Sequence, residues 1–211
     1  MTKRLPHPPL LVITDRQQAR RPVDDILTAS FAAGCRWASV REKDLPPGEQ
    51  LALAQRLLTL ARDWNAWLTL HGDPALAREA GLDGVHLAAG ADVSAARRTM
   101  GKSALIGVSV HTAEEAAKLD PALVDYLIAG PAYATDSKPG YGPVLGMVGI
   151  GKISEATSVP IIAIGGITPG AVADMHIAGA VGIAVMGSVM RAEQPKRELE
   201  RLIAAVAPDS L

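Results

Sequence analysis

The chemistry of this chain is written first in its glycines. Residues 159–170 read Val-Pro-Ile-Ile-Ala-Ile-Gly-Gly-Ile-Thr-Pro-Gly, an apolar run that ends at Gly165-Gly166 and is followed by a helix-start signal at Thr168-Pro169. A buried strand, a glycine turn and a helix start, in that order, gather backbone N–H groups around one space. Glycine lets an anion approach the backbone closely, and the start of a helix favours negative charge. Residues 182–188, Gly-Ile-Ala-Val-Met-Gly-Ser, repeat the pattern and end at Met186-Gly187-Ser188. Tight turning alone would explain either glycine turn. The pair, late in a strand–helix repeating chain, points to a phosphate site.

Other reactive types cluster where predicted strands end. Arg41 and Lys43 flank Glu42, and a strand period of two turns both cations to one side, to meet an anion or to form surface ion pairs. Asp73 and Asp92 are hard oxygen donors suited to a divalent cation, and each equally suits the N-cap of a following helix. Ser109 and His111 end another strand. A histidine with an ordinary pKa of about 6.5 can move a proton at neutral pH, or it can simply begin a helix. Residues 130–143 form the longest glycine- and polar-rich loop, with Thr135, Ser137 and Lys138 at its centre, and read as a flap over a site. His86, inside an apolar strand, reads as a satisfied core histidine. His7 and His176 read as surface residues, Trp37, Trp64 and Trp67 as packing, and Thr14-Asp15 as a turn that Asp15 caps.

These residues need eight strands to position them. Apolar runs at 10–14, 36–41, 67–71, 84–87, 105–109, 125–130, 160–164 and 182–186 alternate with helical segments, among them 23–33, 47–64, 74–80 and 194–206. Strand–helix repetition without a linker predicts an α/β fold, a single (β/α)8 TIM barrel over residues 1–211, with function at the strand C-termini. The formal net charge of −1 gives no argument for nucleic acid or an anionic membrane surface. No apolar stretch approaches the roughly 20 residues of a membrane span. The lone cysteine, Cys35, excludes an internal disulfide, fits a reducing cytoplasmic setting, and reads as a small core residue.

The strings Ile13-Thr14-Asp15, Arg41-Glu42-Lys43, Asp83-Gly84-Val85-His86-Leu87, Gly107-Val108-Ser109, Gly130-Pro131, Thr135-Asp136-Ser137-Lys138 and Ala163-Ile164-Gly165-Gly166-Ile167 occur in this order at barrel spacing. In them the chain resembles the thiamine phosphate synthase family, which includes the TenI-type thiazole tautomerases, over essentially its whole length. The resemblance implies a thiamine-biosynthetic transferase that joins hydroxymethylpyrimidine diphosphate to thiazole phosphate and releases pyrophosphate. It implies that Arg41, Lys43 and Lys138 hold the diphosphate, with Thr135 and Ser137 donating from the flap. It places Asp73 and Asp92 on Mg²⁺, Ser109 by the pyrimidine, and the turns at Gly165-Gly166 and Met186-Gly187-Ser188 on the thiazole phosphate.

Departures fall on one half of the site. Where the family carries Gln-x-Arg-x-Lys this chain has Ser39-Val40-Arg41-Glu42-Lys43, so a short hydroxyl replaces a long amide expected on the pyrimidine. Gly72-Asp73 replaces Asn-Asp, and one residue fewer separates Asp73 from Asp83. A thiazole tautomerase would need the phosphate site and a proton-transferring His111 but no metal, and it stands as the alternative. A non-catalytic binder of a phosphorylated metabolite is the third. The sequence leaves association into a homo-oligomer open.

Overall fold

The computed structural model describes residues 5–135, 137 and 143–207. Eight strands alternate with helices: β1 (Leu10–Ile13), α1 (Val23–Ala32), β2 (Trp37–Val40), α2 (Pro47–Asp63), β3 (Trp67–His71), α3 (Pro74–Glu79), β4 (Gly84–Leu87), α4 (Val93–Met100), β5 (Leu105–Val110), α5 (Ala113–Ala117), β6 (Tyr126–Ala129), α6 (Gly146–Ala156), β7 (Ile161–Ile164), α7 (Val172–Ile177), β8 (Gly182–Val185), α8 (Gly187–Met190) and α9 (Pro195–Val206). Each strand pairs in parallel with the next, and β8 closes on β1 through Leu10↔Ile183, Leu11↔Ala184 and Val12↔Val185. The expected α/β barrel is therefore present. Its strand limits differ from the sequence estimate by about a residue, the usual uncertainty of element ends. At β1 the cause is visible: the Arg41 N–H donates to Thr14 Oγ1 rather than to a ladder carbonyl.

Local sequence explains the elements. The strands are nearly continuous runs of aliphatic residues, because a parallel sheet inside a helical layer is covered on both faces. In α2, Pro47 occupies the first turn, where its missing N–H costs nothing. Leu53, Ala54, Leu57 and Ala61 then form the buried stripe of a 3.6-residue period. Leu199, Leu202 and Val206 do the same for α9. In the core, Trp37 meets Tyr126 edge to face, with ring centroids 4.8 Å apart. Gly107 makes room for that tyrosine, since a Cβ there would run into its ring.

The rim at which strands begin is tied by two buried-side carboxylates. Asp83 accepts from the Leu68 N–H at 2.7 Å and pairs with Arg62 at 2.8 Å. Asp125 accepts from the Ile106 N–H at 2.8 Å and pairs with Arg97 at 2.6 Å. The Arg97 guanidinium also donates to the carbonyls of Ala104 and Leu123. The opposite rim, where strands end, is left for chemistry. Among the described residues no helix is long and apolar enough to cross a membrane.

Arg97→Met removes the guanidinium that pairs with the nearly buried Asp125. Unfolding free energy is expected to fall by about 3 kcal/mol, read from urea denaturation, with substrate KM values unchanged. A fall below about 1 kcal/mol would show that the pair contributes no more than a surface ion pair.

Candidate active site

A cavity of about 1060 Å³ opens at the rim where the strands end. All eight strand ends contribute, from Ile13 at the end of β1 to Met186 after β8. Of the residues expected to act, Arg41, Lys43, Asp73, Asp92, Ser109, His111, Thr135, Ser137, Gly165, Gly166, Met186, Gly187 and Ser188 all line it. Lys138 and Asp136 lie outside the described residues.

Ser39 is placed differently from expectation. It is fully buried and does not line the cavity. Its Oγ sits 2.8 Å from Nδ1 of His71, and His71 does line the cavity. The His71 ring lies against His86, with centroids 4.1 Å apart, and His86 Nε2 is 2.8 Å from Ser109 Oγ. Strands β2 to β5 thus carry a polar relay, Ser39–His71 and His86–Ser109, joined by ring contact. His86 is not the satisfied core histidine expected: its Nδ1 is buried without a hydrogen-bond partner among the described residues. Burial, and secondarily the Lys43 charge, push its pKa down to about 3. It is a neutral imidazole at physiological pH.

The cationic end is assembled by the loop after β1. Glu42 is buried and both its oxygens accept from the Arg16 N–H at 3.1 Å. Asp15 accepts from the backbone N–H groups of Gln17 and Gln18, as a capping turn residue should. The same carboxylate stands 3.8 Å from the Arg41 guanidinium. Partial burial, with Arg41 as a like-charged neighbour, lowers the Lys43 pKa. Two cations held close together against their repulsion are relieved by an incoming anion.

Asp73 and Asp92 combine both sequence readings. Each caps a helix, Asp73 Oδ1 accepting from the Ala75 N–H at 2.8 Å and Asp92 Oδ1 from the Ala95 N–H at 2.9 Å. Each also lines the cavity. Among the described residues no group of three or more His, Cys, Asp or Glu could enclose a metal ion. Two accessible carboxylates nevertheless suit Mg²⁺, which commonly keeps several waters and completes its shell with substrate phosphate oxygens.

His111 is oriented rather than merely present. Its Nδ1 is 2.7 Å from the Gly130 carbonyl, which can only accept, so Nδ1 carries the proton and Nε2 of the neutral ring is the basic nitrogen. Its backbone N–H donates to Glu115 Oε2 at 2.6 Å.

At the glycine end, Gly165 and Gly166 have φ of +102° and +63°, a region that side chains disfavour. A Cβ on Gly165 would lie 2.9 Å from Pro131 Cα, and one on Gly166 would strike the Ala134 carbonyl. The glycines therefore also admit the base of the flap, which docks through Tyr133 N–H to Gly165 O at 3.0 Å. Ile13, Ile128, Ile164 and Val185, all on the strands, add an apolar floor to the cavity. Arg191, which carries no signal in the sequence, also faces the cavity, together with His71 and Thr168.

Cys35 is buried as expected, and its thiol is pushed up to about 11 by burial, so it is no nucleophile at neutral pH. His176 departs from a plain surface residue: its Nε2 is buried with no hydrogen-bond partner among the described residues.

The chain resembles known proteins in sequence and fold. The family profile described as thiamine monophosphate synthase matches residues 10–189. A thiamine-phosphate synthase from Roseiflexus sp. (strain RS-1) is 37% identical over 201 residues, covering 93% of this chain and 84% of that protein. A thiamine biosynthesis bifunctional protein ThiM/ThiE from Symbiobacterium thermophilum is 42% identical over 81% of this chain, and the match spans 36% of that longer relative. The solved structure of a thiamine phosphate pyrophosphorylase from Pyrococcus furiosus superposes with a TM-score of 0.83 at 30% identity, over 94% of this chain and 95% of that one.

The depressed His86 pKa sets a pH dependence. Between about 3 and 6.5 the unfolded chain binds a proton that the folded chain refuses, so this contribution is complete above pH 6.5 and is lost as pH falls. Lowering pH from 6.5 to 5 is expected to cost about 2 kcal/mol through this group. Urea midpoints of wild type and His86→Phe at pH 5, 6 and 7 should diverge, the variant showing the shallower slope. Parallel slopes would mean that His86 protonates freely in the fold.

Proposed function

The chain belongs to the thiamine monophosphate synthase family, and on that premise we propose that it joins hydroxymethylpyrimidine diphosphate to thiazole phosphate with release of pyrophosphate. The observation that carries this reading is that one cavity gathers Arg41, Lys43 and two carboxylates together with two glycine turns and apolar lining residues. Two phosphorylated substrates fit such a combination, and a single phosphate ester would need only part of it.

The reaction breaks the bond between the pyrimidine methylene and the diphosphate oxygen. The electron pair leaves with pyrophosphate, and the thiazole nitrogen lone pair forms the new bond to the methylene carbon. Negative charge grows on the leaving group in the transition state, so fixed cations favour it over the ground state. Arg41 and Lys43 take that role, with Arg41 oriented by Asp15. Asp73 and Asp92 are the residues that would hold Mg²⁺, which neutralises diphosphate charge when bound. Ser109, held by His86, presents its hydroxyl to the pyrimidine. His71, braced by Ser39, stands on the side where the family's long amide is missing and supplies a polar edge in its place. The apolar floor holds the two rings and limits water, which would otherwise compete for the methylene.

The His111 tautomer favours one second reading. With Nδ1 donating to the Gly130 carbonyl, Nε2 is the nitrogen that a proton-abstracting base would use. Isomerisation of a thiazole carboxylate phosphate would use this base and the glycine end alone.

Product formation from the two substrates, with Mg²⁺ and with chelator, tests the proposal. Metal-dependent thiamine phosphate is expected. Isomerisation of the thiazole carboxylate phosphate, unaffected by chelator and without synthase turnover, would instead establish the tautomerase. Lys43→Ala should lower synthase turnover at least tenfold, and an unchanged rate would remove it from the leaving-group site. His111→Ala should leave synthase turnover within about threefold while abolishing any isomerisation. Equal losses in both assays would reduce His111 to a structural role.

A further inference from the structure

Arg191 follows α8 directly and faces the cavity beside the second glycine turn. Its guanidinium pairs with no carboxylate among the described residues. Its partners are neutral: Gln18 Oε1, and Ser137 Oγ at 3.3 Å. Gln18 is itself aimed, because its Nε2 donates to Asp15 Oδ2 at 2.6 Å and its Oε1 is therefore turned toward Arg191. Gly187 completes the arrangement. A Cβ at that position would collide with Ser137 Oγ and with both terminal nitrogens of Arg191. The absent side chain is the space the guanidinium occupies.

We propose that Arg191 is a phosphate-binding residue of the glycine end, and that Gly187 and Arg191 form a matched pair in which the turn gives up its side chain to admit the guanidinium. The identity of the bound ester, thiazole phosphate, rests on the proposed function; the anion site itself does not. A guanidinium presents several N–H donors in a fixed fork and stays charged, so it suits the tetrahedral oxygens of a phosphate monoester. With neutral partners among the described residues, its charge is offered to an incoming anion. Ser137, which also lines the cavity, contacts the same guanidinium.

Arg191→Gln keeps a hydrogen-bonding side chain and removes the charge. Gly187→Ala keeps the charge and displaces it. Both are first checked for an unchanged thermal midpoint without ligand. Calorimetric titration with inorganic phosphate is expected to show binding to wild type that weakens about 10- to 100-fold in both variants, and much less in Lys43→Ala. In the synthase assay both variants should raise KM for thiazole phosphate by a similar factor and leave KM for the pyrimidine diphosphate unchanged. Phosphate binding that is absent from wild type, or lost in Lys43→Ala but kept in Arg191→Gln, overturns the proposal. So does an unchanged thiazole phosphate KM in an active Arg191→Gln enzyme. Wild type that binds phosphate through Arg191 yet forms no thiamine phosphate supports the anion site and sinks the proposed reaction instead.

Discussion

Every group with a chemical role here stands on one rim, and that rim exists because β8 hydrogen-bonds to β1. Parallel strands joined by right-handed helical crossovers all end on the same side. Closing them into a barrel brings eight such ends around one opening, so residues as far apart in sequence as Ile13 and Arg191 share a cavity. The opposite rim is free to serve stability. Asp83 and Asp125 hold backbone N–H groups of neighbouring strands there, each balanced by an arginine. Chemistry and stability are thus separated by the length of a strand, and a change at one rim need not disturb the other.

Within the cavity two kinds of anion recognition are combined. One end relies on side-chain charge, with Arg41 and Lys43 close enough for Arg41 to lower the Lys43 pKa. The other relies on backbone shape, with two positive-φ glycines and a turn stripped of its side chain at Gly187. Asp15 belongs to both. Its carboxylate faces Arg41 directly and reaches Arg191 through the Gln18 amide. One residue in the first strand-end turn therefore orients a cation at each end, which ties the two half-sites to the same backbone.

The histidines show how burial assigns roles within one residue type. His86 is sealed among strands and Tyr126, and is kept neutral, leaving it as a hydrogen-bonding support for Ser109. His71, one strand away, is braced by Ser39 but faces the cavity. His111 has its proton placed by a carbonyl. Asp73 and Asp92 show a similar economy, since one oxygen of each caps a helix while the residue still faces the site.

The barrel was legible in the sequence because its signals are local: apolar runs of strand length, helix-start prolines, and glycines where the chain must turn. The same locality marked Arg41, Lys43, Ser109 and the two glycine turns, whose positions at strand ends follow from the alternation alone. Ser39 was read from its own length as a missing contact. Only the register Ser39↔Thr69, which sets β2 beside β3, brings it to His71 and makes the two a unit. His86 needed the packed core to reveal both its unpartnered nitrogen and its neutrality. Arg191 carried no signal within its own segment, since its partners Gln18 and Ser137 lie 173 and 54 residues away. Element type, strand order and the chemical character of the rim were determined by the sequence alone, through interactions among residues a few positions apart. Which side chains meet, which are charged, and which empty space is filled were decided by the tertiary structure, because each depends on contacts and burial that only barrel closure creates.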